Sequence, residues 1–158
     1  MVKVLINGCN GRMGQVLAKE IDRFPNLLLA CGFDINDNGL NTFPVYTNIN
    51  DIKEKPDVIV DFSVPVATLN ILKYAVNSKV PMVIATTGFD SEQLKEIEEA
   101  SKVIPIFKSS NMSYDINLMK KVVAEVAKAL KGTDIEIVET HHNRKIDAPS
   151  RYCYYPCR

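Results

Sequence analysis

The chain has 158 residues, a formal net charge of zero and 46% hydrophobic residues, which is an ordinary globular composition with enough length to bury a core. Its 19 basic and 19 acidic side chains cancel without a basic run, so the sequence predicts no nucleic-acid partner. No apolar run reaches the ~18 residues that a membrane helix needs, and the amino terminus lacks a signal-peptide layout, so we expect a cytoplasmic protein without a membrane partner.

Apolar runs rich in β-branched residues alternate with stretches of helical period, a pattern typical of βα units around a parallel sheet. We predict strands over residues 3–7, 27–33, 57–61, 81–85 and 104–108, and helices over 11–23, 66–77 and 91–100. Asp90, with Gln93 three residues later, has the pattern of a capping box that opens the third of these helices. The predicted fold class is therefore α/β, with a Rossmann-type doubly wound parallel sheet up to about Asn111.

The pattern changes after Asn111, which indicates a second domain. Apolar residues recur there at steps of three and four, namely Ile116, Met119, Val123, Val126 and Leu130. They predict an amphipathic helix over residues 115–131 that ends at Gly132, followed by a strand over 134–139. We assign residues 1–112 to a dinucleotide-binding domain and residues 113–150 to the incomplete start of an α+β domain.

Residues 151–158 differ in composition from everything before them, since they hold three of the six tyrosines and two of the four cysteines. We interpret them as an aberrant tail left by a shifted reading frame, with a natural irregular end as the alternative. The cysteines, at positions 9, 31, 153 and 157, fit neither a disulfide framework nor metal-ligand spacing. The sequence therefore predicts free thiols and no metal site.

A glycine-rich turn follows the first predicted strand and opens the first helix; it reads Gly8-Cys9-Asn10-Gly11-Arg12-Met13-Gly14. Glycines permit a tight turn and a close approach of backbone to a pyrophosphate, which the helix amino terminus then attracts. Asp34 ends the second strand about twenty residues later, where an acid accepts hydrogen bonds from the adenosine ribose and repels a 2′-phosphate. The turn thus predicts a site for NADH or NADPH with NADH favoured, although Arg12 could assist NADPH. The alternative is a βα turn that contains three glycines by chance.

Polar loops follow three further predicted strands, at Asp61-Phe62-Ser63, Thr86-Thr87-Gly88 and Ser110-Asn111. Each alone would be an ordinary surface loop. Because ligands bind at the carboxyl ends of parallel strands, the three loops together are expected to surround one crevice.

Both histidines of the chain, His141 and His142, stand four residues or fewer before Lys145. A neutral-range acid or base beside cations suits proton delivery to a developing carbanion and capture of carboxylates. A solvated basic loop or an adventitious metal site is the alternative.

Residues 139–150, with the pattern Glu-x-His-His-x-x-Lys-x-Asp-Ala-Pro-Ser, are similar to the signature of dihydrodipicolinate reductases. The amino-terminal Gly-x-x-Gly-Arg-Met-Gly resembles their cofactor turn, and the Asp-Phe-Ser-x-Pro, Thr-Thr-Gly and Asn-Met-Ser elements follow in the family's order. The resemblance covers nearly all of residues 1–150.

The resemblance implies hydride transfer from NAD(P)H to a cyclic dicarboxylate derived from 4-hydroxy-tetrahydrodipicolinate, giving tetrahydrodipicolinate in lysine and diaminopimelate biosynthesis. His141 would donate a proton to the ring carbon, Lys145 would assist proton transfer and bind the substrate's charge, and His142 would contact a carboxylate. The cofactor-binding residues that it implies are Gly8, Cys9, Asn10, Gly11, Arg12, Met13, Asp34, Ala85, Thr86, Thr87, Ser109, Ser110, Asn111 and Met112.

The resemblance stops at Arg151-Tyr152, where the family has Gly-Thr and continues for a long further segment. We therefore expect impaired turnover, no secure formation of the family's homotetramer, and an exposed apolar patch around Ile116, Val123, Ile135 and Ile137. A catalytically inactive dinucleotide-binding fragment is one alternative. Another is a dehydrogenase of the same fold acting on homoserine or aspartate semialdehyde, whose chemistry does not call for the histidine–lysine run.

Overall fold

The computed structural model describes residues 1–130, 132–136 and 138. The chain divides into two compact units, residues 1–109 and the segment from residue 110 onward. No helix within the described ranges has the length and apolar character required to cross a membrane.

The first unit alternates strands and helices. Its strands are β1 (Val2–Asn7), β2 (Leu27–Phe33), β3 (Val45–Tyr46), β4 (Val58–Asp61), β5 (Met82–Ile84) and β6 (Ile106–Lys108). Its helices are α1 (Arg12–Ile21), α2 (Pro65–Ser78) and α3 (Ser91–Ser101), with a 3₁₀ turn over Ile49–Asp51. All predicted strands and helices of this unit form, with bounds that shift by a few residues.

The six strands form one sheet in the order β3-β2-β1-β4-β5-β6, and every neighbouring pair is parallel. The order reverses between β1 and β4. The chain first adds β2 and β3 on one side of β1 and then adds β4, β5 and β6 on its other side. This is the doubly wound arrangement, so the predicted fold class is confirmed.

Strand β3 was not predicted from the sequence. It contributes only Val45 and Tyr46, which pair with Gly32 and Phe33 of β2, and it follows Pro44 in a polar stretch. Two residues are too few to establish a period of two. Its formation depends on the neighbouring edge of β2, which a local pattern cannot reveal.

The central strand β1 is covered on both faces. Leu5 belongs to the larger core cluster, with Ile59, Ile71 and Met82, whereas Val4 and Ile6 belong to a second cluster with Ile21 of α1. Successive side chains of a strand point to opposite faces, so one short apolar run supplies both cores. Such a run is typical of a parallel sheet with helices on both sides.

Local signals fix the ends of the helices. The Asp90 carboxylate accepts hydrogen bonds from the backbone amides of Glu92 and Gln93, and the Gln93 side chain accepts one from the Asp90 amide. The predicted capping box of α3 is thus confirmed. Pro65 occupies the first turn of α2, where its missing N–H has no helical partner to lose.

The second unit contains α4 (Tyr114–Ala129), which begins at an amino-terminal cap where Ser113 Oγ accepts from the Ile116 amide (3.4 Å). The predicted helix over 115–131 is confirmed, and Gly132 lies just beyond it with a φ of 86°. None of the residues of α4 is buried within the part of the chain that the structure describes.

The residues of the expected apolar patch that can be assessed are exposed or half-buried. Val123 and Ile135 are exposed and Ile116 is half-buried, whereas Ile137 lies outside the described residues. The predicted strand over 134–139 is wrong for residues 134–136 and 138, which pair with no other described residue. A strand needs a neighbour for its backbone hydrogen bonds, so its apolar alternation alone does not produce one.

Substitution of Ile71, which is fully buried on α2, tests the larger core. We expect Ile71→Ala to lower the free energy of unfolding by about 2–5 kcal/mol through lost burial and the cavity left behind. Val66→Ala on the same helix is the control, because Val66 is 67% exposed and its truncation is expected to change stability by less than about 0.5 kcal/mol. Urea unfolding of both variants measures the difference, and equal losses would contradict this assignment of the core.

Candidate functional site

A cleft of about 510 Å³ opens at the carboxyl ends of β1 and β4, where the strand order reverses. Ligands of open α/β sheets bind at this position, since loops from the two halves of the sheet separate there. Gly8, Asn10, Gly11 and Asp34 line the cleft. The structure therefore brings the predicted glycine turn and the predicted acid to the same opening.

The glycine turn lies against the loop after β4. Gly8 has a φ of 79°, and a Cβ built on it would lie 2.7 Å from the carbonyl oxygen of Phe62. A Cβ on Gly14 would lie 2.7 Å from the Cα of Cys9. Both contacts are shorter than a side chain tolerates, so the turn keeps this conformation only with glycine at these positions.

The amino terminus of α1 directly follows the glycine turn. Gly11 is the cap residue, and no side chain caps the helix. Arg12 and Met13 are exposed in the first turn. Uncapped amides and the positive end of the helix dipole can receive an anion such as a pyrophosphate.

The Cys9 thiol belongs to the core and not to the cleft surface. It is fully buried with Val4, Ile6 and Ile21. Burial raises the pKa of this thiol to about 12, and the nearby Asp34 carboxylate contributes to the increase. Cys9 can therefore offer a cofactor only its backbone, and its neutral thiol serves as a packing group.

The predictions for the other cysteines have different outcomes. Cys31 is also buried and, like Cys9, unpaired. Its pKa is likewise raised to about 12, chiefly by burial and then by the carboxylate of Glu54. The predicted free thiols are thus confirmed for these two, while Cys153 and Cys157 lie outside the described residues.

Asp34 follows β2 directly and is half-buried in the cleft. Its Oδ2 accepts from the backbone amide of Asn10 (2.8 Å), and its Oδ1 accepts from the amide of Ile35 (2.8 Å). Each carboxylate oxygen has a second lone pair, so Asp34 can hold the glycine turn and still accept from a ligand's hydroxyl groups.

A buried polar network supports the floor of this site. The Asp61 carboxylate, at the end of β4, is fully buried and accepts from Asn7 Nδ2 (2.7 Å), Ser63 Oγ (2.5 Å) and Thr68 Oγ1 (2.6 Å). Sequence analysis identified the Asp61–Ser63 loop but missed Asn7 and Thr68. A polar residue at the end of a central strand was the available signal, since burial there requires a partner.

The loop after β5 is tied to the same network. Thr86 is buried, and its Oγ1 accepts from the backbone amide of Ser63 (2.9 Å). The amide of Ala85 donates to the Asp61 carbonyl (2.9 Å), and Thr87 is exposed. The carboxyl ends of β4 and β5 are therefore joined by hydrogen bonds, which fixes the predicted cofactor residues of this loop.

The remaining predicted site residues lie at the junction of the two units or beyond it. The Ser109 amide donates to the Ile84 carbonyl (3.2 Å) in the first unit. In the second unit, Ser110 and Met112 are exposed, and Asn111 Oδ1 accepts from the Ser113 amide (2.6 Å). The catalytic candidates His141 and Lys145 and the substrate candidate His142 lie outside the described residues.

The strand order, the glycine turn and the acid after β2 together define a dinucleotide-binding domain of the Rossmann type. Two family models match the chain: "Dihydrodipicolinate reductase, N-terminus" over residues 2–112 and "Dihydrodipicolinate reductase, C-terminus" over residues 115–153. The chain belongs to the dihydrodipicolinate reductase family. The family and the fold support a nicotinamide dinucleotide as cofactor.

Curated relatives agree with this assignment. A 4-hydroxy-tetrahydrodipicolinate reductase of Caldanaerobacter subterraneus subsp. tengcongensis is 51% identical over 150 residues, which is 95% of this chain and 59% of that protein. A reductase of the same name from Clostridium perfringens strain 13 is 42% identical over 152 residues, or 95% of this chain and 60% of that protein. The chain thus spans about three fifths of the length of the relatives it matches.

Solved structures show the same fold. A dipicolinate-bound dihydrodipicolinate reductase from Paenisporosarcina sp. TG-14 matches with a TM-score of 0.80 at 29% identity, covering 99% of this chain and 64% of that one. A scyllo-inositol dehydrogenase from Lactobacillus casei, with bound NAD(H) and scyllo-inositol, matches with a TM-score of 0.61 at 16% identity. This match covers 79% of this chain and 41% of that one. The second likeness extends to the fold alone.

Replacement of Gly8 tests the close approach in the turn. We expect Gly8→Ala to lower the unfolding free energy and weaken cofactor binding, because the new Cβ meets the Phe62 carbonyl. Gly39→Ala is the matched control: Gly39 has a φ of 67° but no atom within 4 Å of a built Cβ, so only a backbone cost of about 1–2 kcal/mol is expected. Denaturant unfolding compares the two, and equal losses would mean that positive φ alone makes glycine necessary at position 8.

Proposed function

We propose that this chain acts as a 4-hydroxy-tetrahydrodipicolinate reductase, which reduces a cyclic dicarboxylate to tetrahydrodipicolinate with NADH or NADPH as the hydride donor. The reaction belongs to lysine and diaminopimelate biosynthesis. The observation that carries the proposal is the Asp34 carboxylate, which is hydrogen-bonded to the glycine turn inside the doubly wound fold of a family member.

The cofactor-binding residues have distinct proposed roles. The backbone of residues 8–13 receives the pyrophosphate, because the glycine turn leads directly into the amino terminus of α1, which no side chain caps. Arg12 adds a positive charge to that end of the site. Asp34 accepts hydrogen bonds from the hydroxyl groups of the adenosine ribose. Ala85, Thr86, Thr87 and residues 109–112 contact the nicotinamide half.

NADH is the proposed preferred cofactor. The 2′-phosphate of NADPH would bring two negative charges close to Asp34, which disfavours its binding. None of the described residues that line the cleft is a lysine or an arginine, so Arg12, at the pyrophosphate end of the proposed site, is the cation left to offset this repulsion. Ile35, next to Asp34, offers an apolar side chain and no guanidinium group.

The nicotinamide cofactor, when bound, supplies a hydride to the substrate. His141 donates a proton to the substrate ring carbon that becomes electron-rich, which suits a side chain that titrates near neutral pH. Lys145 assists this proton transfer and binds the substrate's negative charge, and His142 binds a carboxylate. The Paenisporosarcina reductase holds dipicolinate, a planar dicarboxylate, in agreement with a dicarboxylate substrate.

Two domains share this work in the proposal. Residues 1–112 bind the cofactor, and residues 113–150 begin the part that binds the substrate and forms the family's homotetramer. The exposed apolar side chains of α4, among them Leu118, Met119 and Val122, support a role in contacts with further protein surface.

A titration with turnover tests the proposal. We expect the chain to bind NADH, measured by the change in nicotinamide fluorescence, and Gly11→Asp to abolish binding because its carboxylate would lie beside the pyrophosphate. Gly132→Asp introduces the same side chain at an open glycine outside the proposed cofactor-binding residues and is expected to bind NADH normally. Turnover is then measured with enzymatically generated 4-hydroxy-tetrahydrodipicolinate on the wild type, His141→Ala and His142→Ala.

The outcomes separate the candidate functions. Turnover that His141→Ala lowers by about 10²–10⁴ supports the reductase with its proton donor. NADH binding without turnover identifies the chain as a dinucleotide-binding module. Failure of the wild type to bind either dinucleotide would overturn the proposal.

Charge removal at Asp34 tests the cofactor preference. We expect Asp34→Ser to raise the dissociation constant for NADH by about tenfold or more, because a hydrogen bond to a charged acceptor is lost. Binding of NADPH is expected to improve, since the repulsion disappears. Asp22→Ser, at an exposed acid that follows α1 and does not line the cleft, is the control. Equal changes for both cofactors in Asp34→Ser would mean that this carboxylate does not select between them.

A further inference from the structure

Asn10 connects the glycine turn to the loop that follows Asp34, residues 35–41, which we call the ribose loop. Its side-chain Nδ2 donates to the Asn36 carbonyl oxygen (2.6 Å), and its Oδ1 accepts from Asn41 Nδ2 (2.8 Å). Both ends of the ribose loop are therefore attached to one side chain of the turn.

The attachment continues into α1. Gln15 Nε2 donates to Asn41 Oδ1 (2.8 Å) and to the carbonyl oxygen of Cys9 (3.0 Å). Residues 35–40 are exposed, so apolar burial contributes little to their order. The carboxamides of Asn10, Gln15 and Asn41 are what hold this loop, because an exposed segment is ordered only by its hydrogen bonds.

Asn10 also contacts Asp34 through its backbone. The Asn10 amide donates to Asp34 Oδ2 (2.8 Å), and this bond keeps the carboxylate directed toward the turn. The side chain of Asn10 is engaged by the loop through both its donor and its acceptor. Its contribution to a bound cofactor therefore passes through the position of Asp34 and the ribose loop.

We propose that Asn10 is a positioning residue which fixes the ribose loop, and with it the Asp34 carboxylate, so that the site discriminates between NADH and NADPH. The proposal rests on the proposed function of Asp34 as the ribose acceptor. A fixed carboxylate meets both ribose hydroxyl groups of NADH, whereas it has no freedom to turn away from a 2′-phosphate. If the loop is loosened, the site loses both the hydrogen bonds to the ribose hydroxyl groups and the discrimination against the 2′-phosphate.

The test is a double-mutant cycle on the full chain with Asn10→Ala, Asn41→Ala and the double variant. Asn41 is a partner of Asn10 that does not line the cofactor cleft, so its substitution affects the cofactor only through the loop. Dissociation constants for NADH and NADPH are measured by fluorescence titration. Amide hydrogen exchange of residues 34–41, followed by mass spectrometry, is measured without cofactor. Asn26→Ala, an exposed asparagine before β2, is the control.

We expect each single variant to raise the NADH constant about fivefold, as for one lost hydrogen bond, and to change the NADPH constant by less than about twofold. The double variant is expected to resemble either single one, because both remove the same attachment. Exchange of residues 34–41 is expected to accelerate in all three.

Several results would overturn the inference. One is a normal NADH-to-NADPH ratio in Asn10→Ala; another is an effect of Asn10→Ala with none from Asn41→Ala, which would indicate direct contact with the cofactor. If the wild type binds neither cofactor, the proposed function fails and the exchange data alone decide whether Asn10 orders the loop. Unchanged exchange in Asn10→Ala would then refute the positioning role.

Discussion

The backbone of Gly8 approaches the carbonyl of Phe62 so closely that a single added carbon would lie 2.7 Å from its oxygen. This approach joins the loop after β1 to the loop after β4. These are the two adjacent strands between which the strand order of the sheet reverses. The cleft exists because those loops then diverge to opposite sides. The cap of α1 and the Asp34 carboxylate both adjoin this same glycine turn.

The polar groups beneath the contact explain why it stays in place. Asp61 is fully buried. Its hydrogen-bond donors are Asn7 on β1, Ser63 in the loop after β4 and Thr68 on α2. A buried carboxylate without such donors would cost several kcal/mol, so the network enforces one relative position of these elements. The same side chains at the carboxyl edge of the sheet also shape the cleft, which Asn7 and Ser63 line.

Much of this architecture was predictable because its signals are local. The glycine turn after β1, the acid after β2 and the capping box of α3 were recognised from short patterns and their spacing, and the structure brings the first two to one cleft. Strand β3 was not predictable, since it consists of two residues that depend on the edge of β2. The partners of Asp61 and of Asn10 were missed for a related reason: Asn7 and Asp61 are 54 positions apart, and Asn10 and Asn41 are 31 apart. The wrongly predicted strand at 134–136 is the opposite case, since its sequence has the period of a strand but it pairs with no other described residue.

The central place of β1 has a consequence for the order of events during synthesis. Strand β1 is covered on both faces, and its hydrogen-bonded neighbour β4 is made only after some fifty further residues. Contacts between distant segments form slowly because the intervening loop must close first. During synthesis β1 therefore waits with the edge that pairs with β4 unpaired, and such an exposed edge is a target for holding chaperones.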